Sequence, residues 1–494
     1  MSEIAGRRAA RALGYAYARD HGVLLAELDD RGAEVWLRQP GADFSALAEI
    51  GRCLGVGLTA KIVPAGRFDE HLARLHGEGE RADDILTSDM ERDENLSALL
   101  QDLPLGRDLA ESTDDAPVIR MINALLAEAV RSEASDIHLE PFEQRAVVRF
   151  RRDGLLKDVV TPPRGLHAAL VSRIKVMAQL DIAEKRLPQD GRITLRIAGR
   201  PVDVRVSTVP TGQGERVVLR LLQKDAGRLD LAQLGMAEGI EAALDECIRL
   251  PHGLILVTGP TGSGKTTTLY AALSRLDRQR LNIMTVEDPI EYELEGIGQI
   301  PVNSRIDMSF ARALRAILRQ DPDVVMVGEI RDRETAQIAV QASLTGHLVL
   351  ATLHTNDAPS AVTRLTDMGI EPFLLASSLV GVLAQRLVRR LCPVCRVGHV
   401  PDREEQRLSG HASTLYTAAG CPACQATGYQ GRTGIHELLK VDETLRHLIH
   451  EKATEQALRA CARENGLRSL RDDGLRWVRS GETSLDELLR ATKD

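Results

Sequence analysis

GLILVTGPTGSGKTT, residues 253–267, decides the fold. Residues 252–258 read as a buried strand, since a short apolar run bounded by turn residues suits the middle of a parallel sheet. Gly259-Pro260-Thr261-Gly262-Ser263-Gly264-Lys265-Thr266 then has the phosphate-loop spacing GxxxxGK[ST], and a helix is expected over 267–276. The chemistry explains the residue types. Glycines let backbone N–H groups curl around phosphate oxygens, and the helix N-terminus adds the positive end of its dipole. Lys265 should reach the β- and γ-phosphates of ATP, and the Thr266 hydroxyl should ligate Mg²⁺. Thr267 closes the expected ATP-binding run. Nine of the 63 basic residues are lysines, yet the loop carries one. A compact ammonium fits where a planar guanidinium would not. The bland alternative is a glycine-rich turn without a ligand, and the strand–loop–helix context argues against it.

Working outward, the pattern from about residue 229 alternates strand and helix, the signature of a parallel sheet with crossover helices. A strand over 282–286 ends at Glu287-Asp288-Pro289-Ile290-Glu291. Carboxylates at a strand end can hold a metal-bound water or polarise the attacking one, although acidic loops are common. A strand over 324–327 leads into Gly328-Glu329-Ile330-Arg331-Asp332, the expected place for a second Mg²⁺-binding element with Glu329 as its best carboxylate. A further strand is bracketed by His347 and His354. A single histidine on a strand is usually structural. Two of them beside these motifs are candidates for sensing the γ-phosphate. Glu287 is favoured for water activation and Glu329 for Mg²⁺.

Upstream, residues 113–225 read as an α+β module: a helix over 117–130, strands over 136–140, 146–151 and 155–160, a helix over 166–180, and strand-like runs at 192–197, 201–207 and 216–222. Residues 1–75 read as a small α/β module, with a hairpin from 23–28 and 33–37 and helical spacing over 46–54 and 68–75; no catalytic constellation lies there. Between them, 76–115 carries 13 acidic and three basic residues, and 76–112 is expected to be a solvated linker.

Cys392-Pro-Val-Cys395 and Cys421-Pro-Ala-Cys424 are separated by 25 residues. Paired CxxC knuckles place four thiolates for a tetrahedral Zn²⁺, and four filled positions make the ion structural. Disulfides and a duplicated redox motif are the alternatives. Cys53, Cys247 and Cys461 are expected to be ordinary buried thiols.

The whole composition narrows the function. A chain of 494 residues with 43% hydrophobic and 27% charged residues is globular, of about three domains. Aromatics at 3% and a net charge of −8 argue against a nucleic-acid motor, and no nucleic-acid partner is expected. No signal-peptide core opens the chain, and the uncharged runs 335–356 and 408–431 are broken by polar residues. The expected protein is soluble and intracellular.

Several stretches resemble the secretion-superfamily traffic ATPases of the type II/type IV pilus group. TVEDPIEY resembles that family's aspartate box, LRAILRQDPDVVMVGEIRD its Walker B region, and TGHLVLATLHTNDA its histidine box. EASDIHLEP (133–141) and RLPQDGRI (186–193) resemble signatures of its second N-terminal domain. LGYAYARDHGVLL (13–25) further resembles the type II secretion branch. The resemblance implies a RecA-like P-loop ATPase domain over 229–494 with a zinc-binding insert at about 390–430, preceded by a PAS-like α+β domain and an N-terminal docking domain. It implies catalytic roles for Lys265, Glu287, Glu329, His347 and His354, Mg²⁺ roles for Thr266, Glu329, Asp288 and Glu291, and nucleotide-site roles for Arg205, Arg220, Arg315 and Arg319. It also implies a cytoplasmic hexamer, peripheral to the inner membrane and powering pseudopilus assembly. Its partners would be the type II secretion inner-membrane platform proteins, with the N-terminal domain docked on the cytoplasmic domain of protein L. A type IV pilus extension ATPase and a non-catalytic nucleotide-dependent scaffold are the alternative readings.

Overall fold

The structure is a computed structural model that describes residues 21–29, 32–39, 46–47, 50, 52, 57–65, 67–68, 116–197, 200–223, 230–303, 306–410 and 412–493. The expected acidic linker, most of the two expected N-terminal helices (46–54 and 68–75) and Cys53 lie outside the described residues. Contacts between Cα atoms divide the chain into Met1–Gln223 and Lys224–Asp494.

In the first unit, β1 (Val23–Asp29) and β2 (Gly32–Gln39) make the expected antiparallel hairpin. A third strand, β3 (Leu58–Pro64), lies parallel to β2 and was not expected. Most of its side chains are exposed, so no apolar alternation marks it in the sequence. The α+β module follows: α1 (Ala116–Arg131), β4 (Asp136–Pro141), β5 (Ala146–Arg152), β6 (Leu155–Val160), α2 (Arg164–Met177), β7 (Gln189–Ile197), β8 (Arg200–Thr211) and β9 (Gly214–Gln223). The strands form one antiparallel sheet in the order β6-β5-β4-β9-β8-β7. Strand alternation sorts its side chains. Ile137, Leu139, Val148, Phe150, Val204, Val206, Val217 and Leu219 join Leu125, Leu126, Leu170 and Ile174 of the helices in one core. The residues between them, among them Asp136, His138, Arg205 and Arg220, lie on the other face.

The second unit contains α3 (Glu238–Ile248), β10 (Gly253–Thr258), α4 (Lys265–Ser274), β11 (Ile283–Glu287), β12 (Gly298–Pro301), α5 (Phe310–Ile317), β13 (Val324–Val327), α6 (Arg333–Leu344), β14 (Leu348–Leu353), α7 (Ala358–Asp367), α8 (Pro372–Ser378) and β15 (Leu379–Leu391). After these come β16 (Arg396–His399), α9 (Arg403–Ser409), β17 (Leu415–Ala418), β18 (Tyr429–Lys440) and four C-terminal helices: α10 (Glu443–His450), α11 (Glu455–Glu464), α12 (Leu470–Arg479) and α13 (Leu485–Ala491). The main sheet runs β12-β11-β13-β14-β10-β15-β18, parallel except for β18. Both its faces are covered, which is why its inner strands read as unbroken apolar runs. Leu254 and Leu256 of β10 point into the core with α5, α6 and α7, whereas Ile255 and Val257 point into the core with α3 and α4. Among the described residues, no helix is long and apolar enough to cross a membrane.

Candidate functional site

β10 is fully buried and flanked by β14 and β15, so its carboxyl end delivers the phosphate loop to the sheet edge where open α/β sheets bind ligands. Gly259 (φ 146°) and Gly264 (φ 85°) hold backbone conformations that a side chain would strain. A Cβ on Gly259 would also collide with the Gln385 carbonyl oxygen. Gln385, a buried residue of β15, donates through Nε2 to the Ser263 carbonyl at 2.6 Å. On the other side, the Thr258 and Thr355 hydroxyls pair at 2.7 Å. Lys265 opens α4, with Thr266 and Thr267 in the same first turn. Its ammonium donates to the carbonyls of Gly259 (2.8 Å) and Pro260 (3.1 Å). Burial pushes its pKa down, opposed by the Glu329 carboxylate.

The acids divide into a buried one and a surface group. Glu287 ends β11 at 2% exposure. Its Oε2 accepts from the Tyr270 hydroxyl, and its Oε1 accepts from Thr285 Oγ1 (2.5 Å) and Gln299 Nε2 (3.0 Å). Glu329, past the end of β13, is more open, its side chain 22% exposed. Its Oε1 lies 2.8 Å from His354 Nε2, and its Oε2 accepts from Arg331 Nε at 2.8 Å. Arg331 also reaches Asp288 at 3.4 Å. Glu329 and Asp288 thus gather at one sheet edge around a guanidinium, a hard-oxygen donor set of the kind Mg²⁺ takes. Glu291, in the loop after β11, meets the Tyr270 hydroxyl through its backbone N–H at 3.4 Å.

The two histidines stand apart. His354 follows β14 at the phosphate-loop end. His347 precedes β14, and its carbonyl accepts from Gly253 N, at the start of β10. A six-residue strand spans about 20 Å, so His347 stands at the opposite sheet edge. Its Nδ1 is 3.0 Å from the Ala342 carbonyl, a local turn contact. Three donors hold the Glu287 carboxylate in the interior, whereas Glu329 is the more open of the two acids.

Four arginines are expected at the nucleotide site. Arg315 pairs with Glu334 at 2.5 Å, and Arg319 donates to the Arg315 carbonyl at 2.8 Å, both on the surface. Arg205 and Arg220 are direct cross-strand partners on β8 and β9. Arg220 Nε donates to Asp136 Oδ1 at 2.8 Å. The sequence reading passed over Tyr270, Gln299, Arg331 and Gln385. Only Arg331 carried a signal, its place two residues after Glu329.

The four knuckle cysteines come together. β15 runs straight into Cys392, and the sulfurs of Cys392, Cys395, Cys421 and Cys424 all lie within 4.8 Å of one another. Cys392–Cys421 is 3.9 Å, Cys395–Cys424 3.8 Å and Cys421–Cys424 3.8 Å. A tetrahedron with Zn–S bonds of about 2.3 Å has edges of about 3.8 Å, so the set fits zinc. Burial pushes the Cys424 thiol up, but N–H donors from Cys421 and Gly428 outweigh it and bring it to about 6. The C-terminal segment clamps this module to β15. Arg396 Nη1 donates to the Gly481 carbonyl at 2.6 Å, and Arg389 pairs with buried Glu487 at 2.7 Å. Burial pushes the Glu487 carboxyl up, and Arg490 and Arg389 hold it at about 2. Of the remaining cysteines, Cys247 is buried as expected, whereas Cys461 is half-exposed.

Residues 111–490 match the family model of type II/IV secretion system proteins, and residues 12–76 match a model of an N-terminal domain of GSPII protein E. Type II secretion system protein HxcR of Pseudomonas aeruginosa is 61% identical over 482 residues, spanning 98% of this chain and 99% of its own length. Type II secretion system ATPase E of Vibrio cholerae is 54% identical over 496 residues, spanning 99% and 98%. Among solved structures, the pilus retraction motor PilT with bound ADP superposes with a TM-score of 0.53 at 27% identity, over 75% of this chain and 96% of that one. With a phosphate loop, an acidic sheet edge and this likeness along nearly its whole length, the chain belongs to the type II/IV secretion system protein family, among its type II secretion ATPases.

Proposed function

We propose that the chain hydrolyses Mg·ATP at the β10–α4 loop and transmits the resulting domain movement to type II secretion partners at the cytoplasmic face of the inner membrane, driving pseudopilus assembly. The observation that carries the site assignment is the convergence of Lys265, Glu329, Asp288 and His354 at one sheet edge. Gly259 to Gly264 present N–H groups to the phosphates, and Lys265 exchanges its two loop carbonyls for β- and γ-phosphate oxygens. Thr266, Glu329, Asp288 and Glu291 are the residues that would hold Mg²⁺, which neutralises charge developing on the phosphoryl oxygens. Glu329 also orients the attacking water, with His354 holding its carboxylate. Glu287 keeps the end of β11 in place. Arg205 and Arg220 form a clamp that stabilises charge on the γ-phosphoryl group, joined in the assembled ring by Arg315 and Arg319. The four cysteines hold a structural zinc.

In this reading residues 1–75 dock on the cytoplasmic domain of protein L, 76–112 are a linker, 113–225 carry the arginine clamp and 229–494 the ATPase with its zinc module. The working form is a hexamer. The test is phosphate release and equilibrium ATP binding in Glu329→Gln and Glu287→Gln. Glu329→Gln is expected to lose turnover by about 100-fold or more while still binding ATP, and Glu287→Gln to lose less. The reverse ranking would return water activation to Glu287.

A further inference from the structure

Tyr270 lies on the inner face of α4, the helix that Lys265 opens, and is 1% exposed. Its hydroxyl sits where three separate elements meet. It donates to Glu287 at the end of β11, and it accepts from the Glu291 backbone N–H at 3.4 Å and from Gln299 Nε2 of β12 at 3.3 Å. Gln299 closes the circuit: Nε2 also reaches Glu287 Oε1 at 3.0 Å and the Tyr292 carbonyl at 3.2 Å, while its Oε1 accepts from Leu294 N at 2.7 Å. The ring itself is held edge-on by Tyr292, with centroids 4.6 Å apart. Burial and the neighbouring Glu287 carboxylate raise the phenol far above its ordinary value, so it stays a donor at any physiological pH.

A buried tyrosine hydroxyl needs one partner to be satisfied, and a packing role would end there. This one ties the phosphate-loop helix to both ends of the segment 287–291. That segment carries Asp288 and Glu291, while Lys265 and Thr266 stand one turn earlier on the same helix as Tyr270.

We propose that Tyr270 is a positioning residue for the nucleotide-bound cation: its hydroxyl fixes the acidic segment 287–291 relative to the phosphate loop, so that Asp288 and Glu291 meet the metal in register with Thr266. The proposal rests on the reading of this sheet edge as the Mg·ATP site. It implies a split. Contacts to the phosphates come from the loop itself and do not need the hydroxyl. Placement of the metal, and stabilisation gained as hydrolysis proceeds, do need it.

The experiment uses the full-length chain carrying Tyr270→Phe, which keeps the ring and its edge contact with Tyr292. Mn²⁺ binding to the ADP-loaded protein is followed by electron paramagnetic resonance, beside metal-free ADP affinity and steady-state kinetics. Mn²⁺ affinity is expected to weaken by about fivefold or more, KM for Mg·ATP to rise by a similar factor and kcat to fall by about tenfold, with metal-free ADP affinity changed by less than about twofold. Thr285→Val, which removes another donor to the Glu287 carboxylate, should show the same split at smaller size. Wild-type Mn²⁺ affinity and kcat in both variants would overturn the proposal. Parallel loss of metal-free ADP binding in Tyr270→Phe would also overturn it, by making the hydroxyl a folding element. If Glu329→Gln kept its turnover, the reading of the site would fall instead. If Glu329→Gln lost turnover while Tyr270→Phe behaved as wild type, this inference alone would fail.

Discussion

At the scale of single residues, charge placement separates chemistry from support. His354 and His347 bracket the same strand, yet one bonds Glu329 at the phosphate-loop edge and the other bonds a helix carbonyl at the far edge. His354→Ala removes a partner from the open acid and is expected to lower turnover about tenfold or more, whereas His347→Ala should stay within about twofold. Phosphate-release rates on the two variants check this, and equal losses would place both histidines in the chemistry. The sequence alone does not show that the two histidines stand apart, for a plain reason. Seven residues of separation look local in a string, but extended backbone turns them into about 20 Å. The phosphate loop escapes this problem because all its parts lie within eight consecutive residues, whose spacing is the geometry. Tyr270, Gln299 and Gln385 had no such signature. They matter through what β12 and β15 bring beside them, and the strand order 12-11-13-14-10-15-18 is set by crossovers that no local pattern records.

At the scale of elements, two pairings carry predictions. Arg205 and Arg220 face each other across β8 and β9, on the side opposite the apolar core, so the hairpin projects two guanidiniums together. The strands were legible from alternation, and the pairing follows from the short Gly212–Gly214 turn. Arg205→Ala or Arg220→Ala should lower turnover about tenfold or more with a weaker loss of ADP binding, and lysine should not fully restore it because the planar fork is lost. Wild-type turnover in both alanine variants would leave these arginines as support for Asp136 and its neighbours. The second pairing is the antiparallel β15–β18 hairpin, whose tip holds the four cysteines. The cysteine knuckles were legible because CxxC spacing dictates how thiolates converge. The clamp by Glu487 and Gly481 was not, since the C-terminal helices return to β15 from about a hundred residues away. Cys392→Ser should abolish zinc binding and lower the melting temperature, since structural zinc contributes on the order of 10 kcal/mol in small isolated modules. One zinc per chain in the wild type, by elemental analysis, is the expected result; a metal-free, equally stable protein would exclude it.

At the scale of the whole molecule, every residue proposed to meet the phosphates or a metal lies beyond residue 112, outside the small N-terminal sheet. A chain lacking residues 1–112 should therefore bind ATP with wild-type affinity yet fail to be recruited to membranes carrying the secretion platform. Co-sedimentation with such membranes is the check, and undiminished recruitment would move the docking surface elsewhere. The central claim is hydrolysis at the β10–α4 loop, and Lys265 tests it most directly because its ammonium contacts two loop carbonyls and contributes charge rather than packing. The decisive measurement is Mg²⁺-dependent phosphate release from ATP by the purified full-length chain and its Lys265→Ala variant, with melting temperatures recorded alongside. The account predicts release by the wild type, its loss without Mg²⁺, and its abolition in the variant at an unchanged melting temperature; near-normal turnover in Lys265→Ala would contradict it.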